Sequence, residues 1–285
     1  MSARNTYYLL ATLLFIAAEL LLSAPLKAQT DPFGVAYYDV DRLRDTLPSD
    51  FYNDADFTPS GRYGWNTARY TTQIRHIATV VDSLNLPIIA LWGVENEAVT
   101  RDIAQATKGD YTYLHRTLNS FDGSDFALLY HADRFSPRST EDHHKTLIIK
   151  GEIFRTSHPD KGEEVVLILS ADPRHAAQWA EEARRESPRA KLIVMGQIDA
   201  RDPRKLGLKN PFSEAERHGY GNTRTRRGWI LRDRILTDTA WHTAKAGIYA
   251  RPYLFDDKRS TPLSAFRGTT YTAGYSRSLP VFAGF

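Results

Sequence analysis

Three stretches of this 285-residue chain carry side chains fit for chemistry. The first is Leu192-Ile193-Val194-Met195-Gly196-Gln197-Ile198-Asp199, four apolar residues that run into a glycine and polar groups. A short continuous apolar run reads as a strand buried on both faces, and ligands of open α/β sheets sit at the carboxyl ends of such strands. The second is Asp142-His143-His144, an acid beside two imidazoles. These are metal-ligand types, but an isolated tripeptide in a polar segment reads more simply as a solvated turn. The third is Arg201–Arg234, with ten Lys or Arg against four Asp or Glu, a net charge of +6. It is either a solvated loop or an anion-binding edge, with Arg224, Arg226 and Arg227 as the cations and Tyr220 and Trp229 as stacking groups. Ser170 and Ser278 would serve as nucleophiles only beside a base.

Composition narrows the classes. The chain is 42% hydrophobic and 25% charged with a formal charge of +3, so it is globular, with no global attraction to nucleic acid or membrane. It has no cysteine, which excludes disulfides, thiolate metal sites and a thiol nucleophile. Residues 1–28 read as a secretory signal: Arg4, an apolar run from Tyr7 to Leu22, and a small-residue cleavage site at Leu26-Lys27-Ala28. The run is short of the ~20 residues a membrane helix needs and contains Glu19, so no stable membrane span is expected once it is removed. Export follows: periplasmic, outer-membrane-associated or secreted, with residues 29–285 as one domain.

The elements that must position these groups are legible in outline. Phe33–Val40 reads as the first strand and 41–64 as a long loop. Asn66 or Thr67 caps a helix whose apolar residues Tyr70, Ile74, Ile77, Val81 and Leu84 recur every three or four positions. Strands are expected at Pro87–Trp92, Tyr111–His115, Asp125–Tyr130, Thr146–Phe154 and Val165–Leu169, with a short helix near Val99–Thr107. Asp172-Pro173 reads as a helix start. Helices interspersed with successive strands imply an α/β or α+β class with mixed sheets.

Six blocks in order resemble the endonuclease/exonuclease/phosphatase superfamily, which has the deoxyribonuclease-I-like fold. They are Tyr38-Asp39-Val40-Asp41-Arg42-Leu43-Arg44-Asp45, Gly93-Val94-Glu95-Asn96, Asp125-Phe126-Ala127-Leu128-Leu129-Tyr130, Ser170-Ala171-Asp172-Pro173-Arg174-His175, Gly196-Gln197-Ile198-Asp199-Ala200 and Gly274-Tyr275-Ser276-Arg277-Ser278-Leu279-Pro280-Val281. The resemblance implies a four-layer sandwich, two mixed β-sheets packed face to face with helices outside.

It also implies a chemistry that this chain departs from. The family uses carboxylates to hold a divalent cation, a histidine paired with an acid, and Asp and Asn groups that orient water. Gly93 stands at the metal-binding glutamate, Ala171 at the first histidine, Gln197 at the aspartate that positions the nucleophile, and Arg277-Ser278 at the final Asp-His pair. Asp39 and Asp199 replace asparagines, while Asp125 and Asp233 persist. Scaffold positions match and polar site positions do not, which implies a pseudoenzyme: a binding or scaffold module with no metal or other cofactor, meeting a protein or an anionic ligand at the cell envelope. The alternatives are a divergent phosphodiesterase or nuclease using Asp39, Glu95, Asp199 and Asp233 with magnesium, and a metal-free binder of phosphorylated ligand or nucleic acid. Glu95 would then swing in for Gly93, and His175 would replace the lost histidine. If the site is internally satisfied instead, Arg277 is expected to pair with Asp39 or Asp199 in place of the cation.

Overall fold

A computed structural model describes residues 33–118, 120–199, 203–258 and 260–285. The readings made for 1–28 and for Arg201 lie outside these residues. Two six-stranded mixed sheets form the body. In the first, β1 (Gly34–Leu43) and β2 (Ile88–Val94) are parallel neighbours at the centre; β4 (Asp125–Tyr130) and β3 (Thr112–Arg116) extend one side, β18 (Val281–Gly284) and β13 (Lys245–Ile248) the other. In the second, β7 (His158–Ser170) and β8 (Lys191–Gln197) are the parallel pair, flanked by β6 (Thr146–Arg155) and β5 (Phe135–His143) on one side and by β12 (Asp233–Asp238) and β9 (Leu208–Lys209) on the other. Three short hairpins complete the strands: β10 (Thr223–Thr225) with β11 (Gly228–Ile230), β14 (Phe255–Asp256) with β15 (Thr261–Pro262), and β16 (Phe266–Arg267) with β17 (Thr270–Tyr271).

Alternation along the strands builds the layers. Val35 and Tyr37 of β1 face inward and meet Leu167, Leu169, Ile193, Met195 and Ile235 of the second sheet. Ala36 and Tyr38 face outward and are covered by Ile74, Ile77, Val80 and Val81 of α1 (Thr67–Leu84) and by Val99 and Ile103 of α2 (Glu97–Ala106). Ala176, Ala180 and Ala183 of α3 (Ala176–Glu186) cover Val166, Ile168, Leu192 and Val194 on the far side. The result is the expected four-layer sandwich. Because both faces of β2 are covered, every residue of it is buried, and its sequence shows no polar alternation.

Asn66 caps α1 by accepting from the Arg69 amide at 3.1 Å, as its sequence predicts. Four expectations are corrected. β1 continues past Val40 to Leu43 through a bulge at Asp41 and Arg42, both at positive φ, and the polar residues there had read as loop. α3 begins at Ala176, not Pro173, because the Asp172 carboxylate turns back to accept from the Arg174 amide at 3.1 Å. β5 had no strand signal, since an edge strand tolerates charged residues and Pro137. The basic segment is not a long loop but a run of short elements, among them α4 (Ser213–Arg217) and the β10–β11 hairpin.

Gly196, next to last in β8, has a φ of +117°, and a Cβ there would lie 2.1 Å from the Ser170 carbonyl oxygen and 3.0 Å from the Tyr37 ring. Gly196→Ala is expected to cost at least about 2 kcal/mol in urea unfolding through strain at a glycine-only conformation. An unchanged midpoint would mean the strand end shifts freely.

Candidate functional site

The carboxyl ends of β1 and β8 meet where Tyr37 packs under Gly196. Asp39, two residues further along β1 on the same face, is buried there; its Oδ1 accepts from the Asp41 amide at 2.9 Å. Asp233 opens β12 opposite Gln197 and is also buried. Its Oδ2 accepts from Asn222 Nδ2 at 2.7 Å, while its Oδ1 has no hydrogen-bond partner among the described residues. The Tyr37 hydroxyl is buried and equally unpartnered. Asn222, fully buried, fixes this corner. Its Oδ1 accepts from the Arg232 and Asp233 amides at 2.9 and 3.2 Å, and its Nδ2 also donates to the Leu279 carbonyl at 3.1 Å.

Arg232 bridges the corner, and Arg234 adds a second positive charge near Asp233. The Arg232 guanidinium lies 3.8 Å from Asp39 Oδ2. With the Gln197 amide oriented by its hydrogen bonds, its oxygen accepts from Arg232 Nη2 at 2.7 Å and Nε at 3.2 Å. The expected pairing of Arg277 is corrected: its Nε donates to Asp41 Oδ2 at 2.7 Å, and the side chain is largely exposed. The bulge in β1 carries Asp41 outward, and Arg277 follows it. Ser278 shares a hydrogen bond of 2.7 Å with Thr223, and Ser276 Oγ donates to the Asp39 carbonyl at 2.5 Å, so the closing segment is stitched to the β10–β11 hairpin and to β1 through hydroxyls.

The remaining positions fall elsewhere. Ala171 packs against the inner core. Asp199 is exposed, with its amide donating to the Pro173 carbonyl at 3.0 Å. Glu95 does not swing toward Asp39; it accepts from Arg44 Nη1 at 3.3 Å, the Asp45 amide at 2.6 Å and the Tyr52 hydroxyl at 2.6 Å. His175 is exposed and held by Asp172 at 2.9 Å. Asp125 accepts from the Leu118 amide at 2.8 Å. His143 stacks on Trp179 at 3.6 Å, which removes the reading of Asp142-His143-His144 as a metal site. Among the described residues no three carboxylates or imidazoles converge to hold a metal. Arg224, Arg226 and Arg227 are exposed on the β10–β11 hairpin, with Arg224 6.0 Å above the Trp229 ring. Sequence reasoning missed Arg232, Asn222, Arg44 and Tyr52, which belong to no motif block except Arg44.

The endonuclease/exonuclease/phosphatase family model matches residues 34–158. Solved structures of the same architecture extend the likeness over most of the chain. An endonuclease/exonuclease/phosphatase family protein from Bacteroides thetaiotaomicron is 16% identical and aligns over 90% of this chain and 98% of its own, with a TM-score of 0.57. The chain has the fold of the endonuclease/exonuclease/phosphatase superfamily, and its residues 34–158 match that family's model. A mannosyl-6-phosphatase from Bacteroides thetaiotaomicron aligns at 15% identity over 88% and 98% of the two chains with a TM-score of 0.53, and a family protein from Bacteroides vulgatus at 10% over 89% and 98% with 0.55. No curated protein matches the sequence.

A divalent ion, which the superfamily implies, does not fit the residues present. Gly93 offers no ligand, and its φ of +87°, with a Cβ only 3.0 Å from the Arg42 amide nitrogen, leaves no relaxed place for one. Gln197 is neutral, and a guanidinium already faces Asp39. The two inner carboxyls respond to this setting. Asp39 is pushed up to about 7, first by burial and then by the Asp233 charge, against the pull of Arg232. Asp233 is also raised, chiefly by burial, against Asn222 and Arg232. Below its raised value Asp39 keeps a proton that the unfolded chain releases near pH 4. Stability contributed by this group is therefore full at low pH and falls as pH rises from about 4 to about 7. Asp39→Asn is expected to flatten that slope in thermal melts between pH 4 and 8 and to raise the melting temperature at pH 8. A slope identical to that of the parent would place the titration elsewhere.

Proposed function

We propose that this protein is a non-catalytic, exported member of the superfamily that acts as a binding or scaffold module at the cell envelope. The observation that carries the reading is Arg232, whose guanidinium joins Asp39 to Gln197 where the family's chemistry calls for a metal ion. A fixed guanidinium neutralises the pocket but cannot present an activated water or accept a phosphoryl oxygen into an open coordination position. Export rests on the signal-like residues 1–28.

The divergent hydrolase remains the second reading, supported by the paired acids Asp39 and Asp233 and by the likeness to a mannosyl-6-phosphatase. Its four residues are spread out, however: Glu95 is engaged by Arg44 and Tyr52, and Asp199 is exposed. The third reading, a metal-free binder of phosphorylated ligand or nucleic acid, draws on the exposed arginines of the β10–β11 hairpin.

Purified protein with magnesium or manganese is expected to hydrolyse DNA, RNA, sugar phosphates and nitrophenyl phosphate esters no faster than buffer. Turnover abolished by a chelator would overturn the proposal in favour of the hydrolase. Substituting Arg224, Arg226 and Arg227 together is expected to bring elution from heparin to lower salt. The log–log salt dependence should lose up to about three contacts' worth of slope. Unchanged elution would leave the hairpin as a solvated face.

A further inference from the structure

A second site lies apart from the carboxylate corner. The residues that follow β1, those that follow β2, and the segment ahead of β4 enclose a cavity of about 910 Å³. Neither Asp39, Arg232 nor Asp233 lines it. Its size falls within the roughly 300–1,000 Å³ of small-molecule pockets.

Its walls are apolar where a surface should be polar. Five large apolar side chains stand exposed among the described residues, and three of them, Leu47 (69%), Phe51 (94%) and Phe121 (99%), line this cavity. Scattered exposed apolar residues need no explanation, whereas a cluster around one concavity marks a binding surface. Tyr52 adds a third ring, held by its hydrogen bond to Glu95.

Its charge is of one sign. Asp45, Asp50, Glu95 and Asp125 line the cavity, and no Lys or Arg does. The nearest guanidinium, Arg44, is buried behind it and spent on Glu95 at 3.3 Å. Asp45 and Asp50 are the acids closest to solvent, and the stretch 45–61 carries four aspartates and no basic residue in a chain whose net charge is +3. A carboxylate oxygen has more lone pairs than the single amide or side-chain donors that Asp45 receives from Leu47 and Asn96, so acceptor capacity remains. A ring beside a carboxylate favours a ligand with a cationic head and an apolar body, since the ring face attracts the cation and its edge buries hydrocarbon.

We propose that this cavity binds a small organic cation, a primary ammonium carrying an apolar or aromatic body. The ammonium sits at Asp45 and Asp50, and the body lies against Phe51, Phe121 and Leu47. A volume in the range of small-molecule pockets favours a small molecule over a basic peptide. The inference is independent of whether the strand-end site turns over a phosphate ester.

The test is calorimetric titration of the purified protein at pH 7 with 4-phenylbutylamine, 4-phenylbutanol and 4-phenylbutyrate, which share one body and differ in charge. The amine is expected to bind at least tenfold more tightly than the alcohol, and the carboxylate not at all. Phe51→Ala with Phe121→Ala should weaken the amine at least tenfold, and Asp50→Asn should bring it toward the alcohol. Melting temperatures should not change, because the three side chains are exposed. Equal binding of all three probes, no binding of the amine, full binding by both variants, or capture of a lysine-rich peptide by a protein that ignores the amine would each overturn the proposal.

Discussion

Two buried aspartates meeting at the seam of the sandwich set the constraint that the rest of the site answers. Asp39 ends the inner face of β1 and Asp233 begins β12, so the packing that builds the core also drives like charges together out of water. A low-dielectric interior does not tolerate both ionised without compensation. The chain answers in two ways. Arg232 brings a permanent positive charge next to Asp39, and one proton is retained near neutrality by the raised acids. Asn222 completes the arrangement by fixing both the Asp233 carboxylate and the backbone from which Arg232 projects. Because Asn222 also binds Leu279, the last strand of the first sheet is secured through the same corner. A charge problem at the site is thereby coupled to closure of the fold.

Much of the scaffold was legible because burial leaves a pattern. The continuous apolar runs of β2, β4 and β8 and the three- and four-residue spacing of α1 follow from covered faces, and Asn66 announces its helix by a local hydrogen bond. What was not legible shares a different cause. β5 is an edge strand whose polar residues satisfy the solvent and not the core. The bulge at Asp41 and Arg42 depends on the register between β1 and β2, a long-range property. Arg232 sits in a basic segment among nine other cations, and composition cannot say which one turns inward. The expectation for Arg277 had the right physics, a guanidinium offsetting buried carboxylates, and the wrong residue. The bulge moves Asp41 to the rim, and Arg277 is captured there before it can reach Asp39.

The backbone at the ends of β1 and β2 is irregular as well. Gly93, set at a metal-binding glutamate position by the sequence resemblance alone, has a conformation that a residue with a Cβ adopts only under strain. The neighbouring bulge in β1 presents the Arg42 amide to it, so the two irregularities face each other across a parallel pair. Restoring a glutamate there would require both strands to relax together. The strand ends meet around Arg232, Gln197 and Gly93.

Charge tells a parallel story on the surface. A net value of +3 conceals strong segregation, with the exposed arginines of the β10–β11 hairpin in one stretch and four aspartates between 45 and 61 in another. Within about a Debye length, roughly 8 Å at physiological ionic strength, such patches act on a ligand separately. The aromatic groups follow the same division: Phe51 and Phe121 line the cavity with the acids, while the half-buried Trp229 lies under Arg224. Ring faces next to carboxylates suit a cation with a hydrocarbon body, and ring faces next to guanidinium groups suit a planar anion.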